Sequence, residues 1–70
     1  MIPLTMLENG ESAVIRRVGG NDNVKQHLSE LGFVPGAEVT VVSKLGDNLI
    51  LNIKESRVAL DGKMAMKIMV

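Results

Sequence analysis

The sequence lacks cysteine and is almost without aromatic side chains. Its 70 residues include no Cys, Trp or Tyr and a single Phe. Without Cys, disulfide bonds, Cys-ligated zinc, iron–sulfur clusters and thiol nucleophiles are all excluded. Proteins that bind single-stranded nucleic acid or proline-rich peptides line their sites with aromatic side chains. Phe33 alone therefore gives little support to either class.

The sequence also has no excess of charge and no targeting segment. Lys plus Arg and Asp plus Glu each number 8, so the formal net charge is zero and no general attraction to a polyanion is indicated. The opening MIPLTMLENG has neither the basic region nor the apolar core of a signal peptide. We therefore expect a soluble, cytoplasmic protein with a single domain over residues 1–70.

Turn signals recur at short intervals, which is typical of a small all-β domain. Thr5 and Glu8 fit a capping box and Gly10 can end the helical turn that follows, so Leu4 and Leu7 are predicted to point inward. The next segment, 11–18, alternates loosely and predicts the first strand.

The first strand leaves one alternative open at Arg16-Arg17. Ala13 and Ile15 share one face of this strand. Val18 joins that face only if Arg16-Arg17 contains a β-bulge; without a bulge, Arg17 takes the position.

One helix is predicted after the first strand. Asn23 fits an N-cap with Gln26 at N3, and the helix should run from Asn23 to Leu31. Gly32 stands where a helix needs a left-handed residue at its C-terminus, and Phe33 after it can cover the last turn. The following Val34-Pro35-Gly36-Ala37 fits a type II turn that leads into a strand.

The remaining segments predict four more strands. Their inward positions are Val39 and Val41, then Leu49, Leu51 and Ile53, then Val58 and Leu60, and finally Ile68 and Val70. A hairpin loop is expected at Gly46-Asp47-Asn48, a turn at Glu55-Ser56 and a short connection at Asp61-Gly62. We predict a mainly β fold: a small five-stranded barrel with a short helix inserted after the first strand.

Few residues are candidates for chemistry. His27 has no Cys, second His or carboxylate pair at ligand spacing, so we interpret it as a surface residue. Met64, Met66 and Met69 fit a Cu(I) site or flexible core filler, and filler is favoured. Gly19-Gly20 lacks the pattern of a phosphate-binding loop. No nucleophile and base are brought together by the sequence, so no enzyme is predicted.

Hydrophobic residues make up 46% of the chain, and some must lie off the inward faces. The candidates for these positions are Val14, Val42, Ile50, Met66 and Met69. They form either an exposed patch for a protein partner or a second small cluster beneath the N-terminal turn. Both interpretations stay open from the sequence.

The sequence resembles the FeoA family over nearly its whole length. The resemblance lies in Gly10, Ala13, Ile15, Leu28, Leu31-Gly32-Phe33, Pro35-Gly36, Val39, Val41, Arg57-Val58-Ala59-Leu60 and residues 65–70. It implies an SH3-like barrel with a helical insertion. It also implies a small cytoplasmic, regulatory accessory protein of the bacterial ferrous-iron transporter FeoB, a membrane protein with a GTPase domain. One departure is that many relatives are more basic and carry a proline in the loop 45–48.

The resemblance implies a protein partner and no catalyst. We expect docking onto the cytoplasmic GTPase part of FeoB, with membrane contact only through that partner. The candidate interface comprises Arg16, Arg17, Lys25, His27, Leu28, Glu30, Leu31, Phe33 and Pro35. No cofactor or metal ligand set is expected, beyond weak binding of a divalent transition metal ion to surface carboxylates.

Three alternatives remain. A KOW-type nucleic-acid-binding barrel fits the glycine and valine rhythm of PGAEVTVVSKLGDN, but the neutral charge and missing aromatics count against it. SH3-like domains also follow the DNA-binding domain of DtxR-type metal-dependent repressors, a domain this sequence does not contain. Homo-oligomerisation through an open barrel edge is compatible with any of these functions.

Overall fold

A computed structural model describes all of residues 1–70 and consists mainly of β-strands. A 3-10 turn at Leu4–Met6 comes first. The strands are β1 (Ser12–Val14), β2 (Arg17–Val18), β3 (Glu38–Leu45), β4 (Asn48–Ile53), β5 (Ser56–Asp61) and β6 (Ile68–Met69), and the helices are α1 (Asp22–Glu30) and α2 (Gly62–Ala65). The mainly β class with a helix inserted after the first strand segment is confirmed.

The strands form two antiparallel sheets. A four-stranded sheet has the order β1-β3-β4-β5, and a two-stranded sheet pairs β2 with β6. The N-terminal segment borders β6 on its other side through a bridge between Pro3 and Met69. The two sheets enclose the core.

The predicted first strand is divided between the two sheets. β1 pairs with β3, whereas β2 pairs with β6. Between them Ile15 is buried in the core, and the Arg16 N–H donates to the Met69 carbonyl at 2.8 Å. Val18 therefore packs against the core and Arg17 is exposed, as the first alternative predicted, but the chain achieves this by passing from one sheet to the other and not by a β-bulge. A register shift in the four-stranded sheet lies elsewhere, in β3 between Val41 and Ser43.

The N-cap of helix α1 lies two residues earlier than predicted. This N-cap is Asn21, whose Oδ1 accepts a hydrogen bond from the Val24 N–H at 2.9 Å. Asn21 and Asn23 have the same capping chemistry, so the sequence rule alone does not separate them. The structure prefers Asn21 because Asp22 then lies in the first turn, near the positive end of the helix dipole.

The C-terminal joint of α1 is built as predicted. The Phe33 N–H donates to the Leu28 carbonyl and the Gly32 N–H to the Ser29 carbonyl, both at 2.9 Å, which is the Schellman pattern. Gly32 has φ +103°, as this position requires. The type II turn follows, with the Ala37 N–H bonded to the Val34 carbonyl and φ +93° at Gly36.

Side chains from both sheets, α1 and the N-terminal turn fill one core. Its buried members are Leu4, Leu7, Ile15, Leu28, Phe33, Val39, Val41, Leu49, Leu51, Ile53, Leu60, Ala65, Ile68 and Val70. The predicted inward positions of β3, β4 and β6 are confirmed, while Val58 of β5 is only half-buried. This cluster positions α1 through Leu28.

Two turns differ from their sequence predictions. The N-terminal turn has Pro3 as its N-cap without a side-chain hydrogen bond, so the predicted capping box of Thr5 and Glu8 is wrong. The Glu8 N–H is instead bonded by the Glu11 carboxylate at 2.6 Å. The connection after β5 is the helical turn α2, and Asp61 caps it by accepting from the Met64 N–H at 2.8 Å.

The β4–β5 hairpin contains the one non-glycine residue with positive φ. Lys54 has φ +55° and is the first residue of the two-residue loop of this hairpin. The equivalent position of the β3–β4 loop is occupied by Gly46, with φ +60°. This geometry resembles a type II′ turn, which favours glycine there. The predicted turn at Glu55-Ser56 is therefore shifted by one residue, because Ser56 already pairs with Ile53.

We expect Lys54→Gly to stabilise the protein by about 0.5–1 kcal/mol, because relief of backbone strain outweighs the entropy gained by the unfolded chain. The melting temperature should rise by a few degrees, roughly 4–8 °C per kcal/mol in a domain of this size. Thermal unfolding followed by circular dichroism measures it. Lys54→Ala is the matched control, since it removes the charge but keeps the strain. An equal or lower melting temperature for Lys54→Gly than for Lys54→Ala would contradict the expectation.

Candidate functional site

The residues of the predicted interface divide into exposed and buried groups. Arg16, Arg17, Lys25, His27, Glu30 and Pro35 are exposed, and Leu31 is half-buried. Leu28 and Phe33 are 0% and 1% exposed, respectively. Because a partner cannot reach them without unfolding the core, these two residues are removed from the candidate interface. The helical spacing alone did not show how deeply the end of the helix is set into the core.

Helix α1 presents a polar outer face. Leu28 is its buried contact with the core, and Val24 and Leu31 pack partly against the same cluster. These positions share one side of a helix, so the rest of the nine-residue element faces solvent. Lys25, His27 and Glu30 lie on this exposed portion.

The segments before and after α1 are hydrogen-bonded to residues that lie next to the strands. Before the helix, the Gly19 N–H donates to the Lys67 carbonyl at 2.7 Å. After it, the Gly36 N–H donates to the Ile15 carbonyl at 2.8 Å. These bonds hold the segments on either side of α1 beside the sheets, and buried Leu28 holds the helix itself against the core, so its outer face has a fixed orientation.

The arginine pair lies where the chain passes between the sheets. Arg17 pairs with Met69, and the Arg16 N–H donates to the Met69 carbonyl. The backbone of this pair is therefore ordered while both side chains are exposed. No charged side chain is buried anywhere in the chain, so all formal charges are available at the surface.

The structure brings no set of metal ligands together. No group of three or more His, Cys, Asp or Glu residues lies close enough to hold a metal ion. Met64 packs against the core, as expected of a flexible filler, whereas Met66 is 59% exposed and Met69 is half-buried in β6. His27 is exposed, as predicted.

The off-face apolar residues do not share one environment. Val14 is 50% exposed and Met66 59% exposed, while Val42, Ile50 and Met69 are half-buried. Further exposed apolar side chains are Met1, Ile2, Met6 and Leu45. The second buried cluster considered from the sequence therefore does not include Val14 or Met66.

An open cleft of about 420 Å³ was missed by the sequence interpretation. It lies between the N-terminal turn, the β3–β4 hairpin and α2, and its lining comprises Thr5, Lys44, Gly46, Asp47, Leu49, Gly62, Lys63 and Met66. The Lys44 Nζ donates to the Thr5 carbonyl at 3.1 Å across one wall. No single sequence motif predicts this cleft, because the residues that line it come from distant parts of the chain.

None of the helices is long and apolar enough to cross a membrane.

Comparison with known proteins identifies the family. A family model described as the FeoA domain matches residues 2–70. The Fe(2+) transport protein A of Methanocaldococcus jannaschii, a putative assignment, is 29% identical over 70 residues, covering 100% of this chain and 85% of that protein.

Solved structures agree with this match. FeoA from Stenotrophomonas maltophilia, a prokaryotic SH3 domain protein crystallised with zinc, is 33% identical, with a TM-score of 0.86 over 99% of this chain and 88% of that one. A manganese-dependent transcriptional repressor has a TM-score of 0.86 at 14% identity, covering 94% of this chain and 38% of that one, and shows a shared fold alone. The SH3-like fold is thereby confirmed, and the chain belongs to the FeoA family of accessory proteins in ferrous iron transport.

Proposed function

We propose that this protein acts in the cytoplasm by docking onto the GTPase part of a FeoB-type ferrous iron transporter. The docking surface comprises Arg16, Arg17, Lys25, His27, Glu30, Leu31 and Pro35. The observation that carries the proposal is α1 itself: an inserted helix with one side in the core, a polar outer face, and flanking segments that are hydrogen-bonded beside the sheets. Family membership supplies the transport context.

The charges of the docking surface indicate the kind of partner surface it fits. Arg16, Arg17 and Lys25 are cationic, and Glu30 is the one carboxylate among its members. Such a surface favours an acidic patch on the partner, and complementary charges mainly accelerate association and fix its orientation. Leu31 is half-buried at the C-terminal end of α1, next to these polar side chains, and offers an apolar contact to a partner.

The mechanism is one of binding. The protein supplies a rigid surface, and its effect on the transporter follows from which state of the partner binds that surface more tightly. Membrane contact is indirect, through the partner. Iron is the cargo of the system, and we propose that this chain holds no resident metal, although zinc accompanies the related Stenotrophomonas protein. Divalent ions would bind only weakly, at surface carboxylates.

Charge reversal on the helix tests the docking surface. We expect Lys25→Glu combined with His27→Ala to weaken binding to the partner's GTPase domain at least about tenfold, which corresponds to about 1.4 kcal/mol. Glu30→Ala should leave the affinity unchanged or slightly higher, because it removes the one negative charge that would face an acidic partner surface. Isothermal titration calorimetry measures the affinity, and thermal unfolding verifies that each variant keeps its fold.

Lys63→Glu is the matched control, because it makes the same charge change at an exposed residue of α2, outside the docking surface. Equal affinity for the helix variant and the control would remove α1 from the interface. A steeply salt-dependent affinity for RNA, without binding to the GTPase domain, would instead favour the nucleic-acid alternative.

A further inference from the structure

Strand β5 has one edge that is not paired with another strand, and this edge is long for so small a protein. The four-stranded sheet ends in β1, with three residues, and in β5, with six. β5 pairs only with β4, and no backbone hydrogen bond outside the helices and strands involves its residues. Exposed edges of this kind are templates for pairing with another strand.

The backbone groups at this edge can be assigned from the hairpin. Ile53 and Ser56 close the two-residue loop and form a hydrogen-bonded pair. Hydrogen-bonded pairs alternate along an antiparallel ladder, so Val58 and Leu60 also bond to β4. The remaining residues Arg57, Ala59 and Asp61 direct their N–H and carbonyl groups away from β4, and of these groups only the Asp61 carbonyl, at the N-cap of α2, already accepts a hydrogen bond.

The same three residues have exposed side chains. Arg57, Ala59 and Asp61 are exposed, whereas Leu60 between them is buried in the core. The edge thus presents a cation, a small side chain and an anion at alternate positions. The order is symmetric about Ala59, apart from the sign of the charge.

We propose that β5 pairs antiparallel with β5 of a second copy of this chain, with the two-fold axis at Ala59. In this register Arg57 of each copy lies opposite Asp61 of the other, and the two Ala59 residues face each other. Opposite charges directly across a strand pair are stabilising, and the small Ala59 side chains permit close approach at the axis. Two four-stranded sheets become one continuous sheet with an isologous interface.

The neighbouring registers are disfavoured by charge. A slip of the pairing centre by one residue towards the N-terminus sets Glu55 opposite Asp61, and the opposite slip sets Arg57 opposite Lys63. Like charges directly opposite each other are destabilising. Only the register centred on Ala59 combines outward backbone groups with opposite charges. This self-complementarity is why we assign the edge to a second copy and not to an unrelated strand.

Both charged groups retain free hydrogen-bonding capacity. The Arg57 Nε donates to Asn52 Oδ1 at 3.3 Å, which leaves the terminal guanidinium N–H groups available. Asp61 uses Oδ1 to cap α2, at 2.8 Å from the Met64 nitrogen, so its second carboxylate oxygen is available. Neither charge has to give up an existing contact to pair across the interface.

The first experiment follows the wild-type chain as its concentration is raised. A strand pair buries little area, so we expect weak association, visible at high protein concentration. Sedimentation equilibrium should report a monomer–dimer equilibrium, and the NMR amide signals of Arg57, Ala59 and Asp61 should shift with concentration. A chain that stays monomeric, or dimerises with shifts confined to other elements, would overturn the proposal. So would amide shifts at β5 that occur only on adding the transporter's GTPase domain, since the edge would then serve a foreign strand.

The second experiment uses charge reversal and mixing. Arg57→Asp alone, or Asp61→Arg alone, sets like charges opposite each other twice in the dimer, and each should raise the dissociation constant at least about tenfold. In an equimolar mixture of the two variants every facing pair is again of opposite charge, so association should return to the wild-type level as a heterodimer. Lys25→Asp is the control for the change in net charge and should dimerise like the wild type.

The mixing result keeps the test independent of folding defects. Asp61→Arg also removes the cap of α2, but a variant that failed to fold would not restore association on mixing. Unchanged dimerisation of Arg57→Asp, or no recovery in the mixture, would overturn the register centred on Ala59. The inference does not depend on docking to the transporter.

Discussion

Gly32→Val is expected to destabilise the protein by about 3 kcal/mol or more, enough to leave much of the chain unfolded at physiological temperature. Gly32 has φ +103°, and a β-branched residue in such a conformation costs on the order of 1–3 kcal/mol. A Cβ at this position would also lie 3.4 Å from the Ile53 Cγ1, in the core. A core in a domain this small rarely supplies more than about 3–5 kcal/mol.

Gly36→Val is the matched control for the cost of placing a β-branched residue at positive φ. Gly36 has φ +93°, but a Cβ there would have no neighbour within 4 Å. We therefore expect Gly36→Val to be less destabilising than Gly32→Val, because Gly36 is exposed whereas the two methyl groups of a Val at buried Gly32 have to be accommodated beside Ile53. Urea unfolding followed by circular dichroism measures both, since the chain has no Trp or Tyr for fluorescence. Wild-type stability with lost partner binding in Gly32→Val would mean that the joint is itself an interface.

Phe33→Ala is expected to cost about 3–5 kcal/mol and to unfold most of the protein. Phe33 is the one aromatic side chain and is 1% exposed, so its removal leaves the largest cavity that a single truncation can make here. The loss should appear as a large fall in the urea midpoint, or as a far-ultraviolet spectrum of an unfolded chain.

Phe33→Leu is the control for this truncation. It retains most of the buried volume and should cost only about 1–2 kcal/mol, so this variant should remain folded. A similar stability for the Ala and Leu variants would contradict the role of Phe33 as a packed core residue. It would also reopen the original expectation that Phe33 belongs to the partner interface.

The local structure around α1 was predictable because it depends on the backbone conformations that the residues of this segment themselves favour. Gly32 must adopt positive φ to form the helix end, and Pro35-Gly36 sets the type II turn, whatever the rest of the chain does. The alternation in β3 and β4 likewise fixed which side chains face the core.

The features that were not predictable depend on distant parts of the chain. Whether Arg16-Arg17 continues a strand is decided by Met69, which lies at the other end of the sequence and offers the competing partner. The cleft requires α2 to approach the β3–β4 hairpin so closely that a Cβ on Gly62 would lie 2.9 Å from the Asp47 carbonyl oxygen. Neither contact leaves a signal in its own segment.

The exposure of the candidate interface residues was predictable only in part. Lys25, His27 and Glu30 of the candidate interface are exposed, whereas Leu28 and Phe33, which were included in the same candidate interface, are buried. Those residues are buried because the Schellman joint turns the end of α1 into the core. A pattern of apolar spacing shows which side of a helix faces inward, but it does not show whether a side chain on that side is fully buried or still accessible to a partner.

The central claim, that α1 is a rigid docking surface for the transporter, is tested most directly by an NMR titration. Isotope-labelled protein is titrated with the partner's cytoplasmic GTPase domain, and the amide shifts are mapped onto the structure. We predict that the largest shifts fall on Asp22–Glu30 and on Arg16 and Arg17, while the amides of β4 stay unchanged. Shifts confined to the cleft around Lys44 and Lys63, or no shifts at saturating concentrations of the partner, would contradict the account.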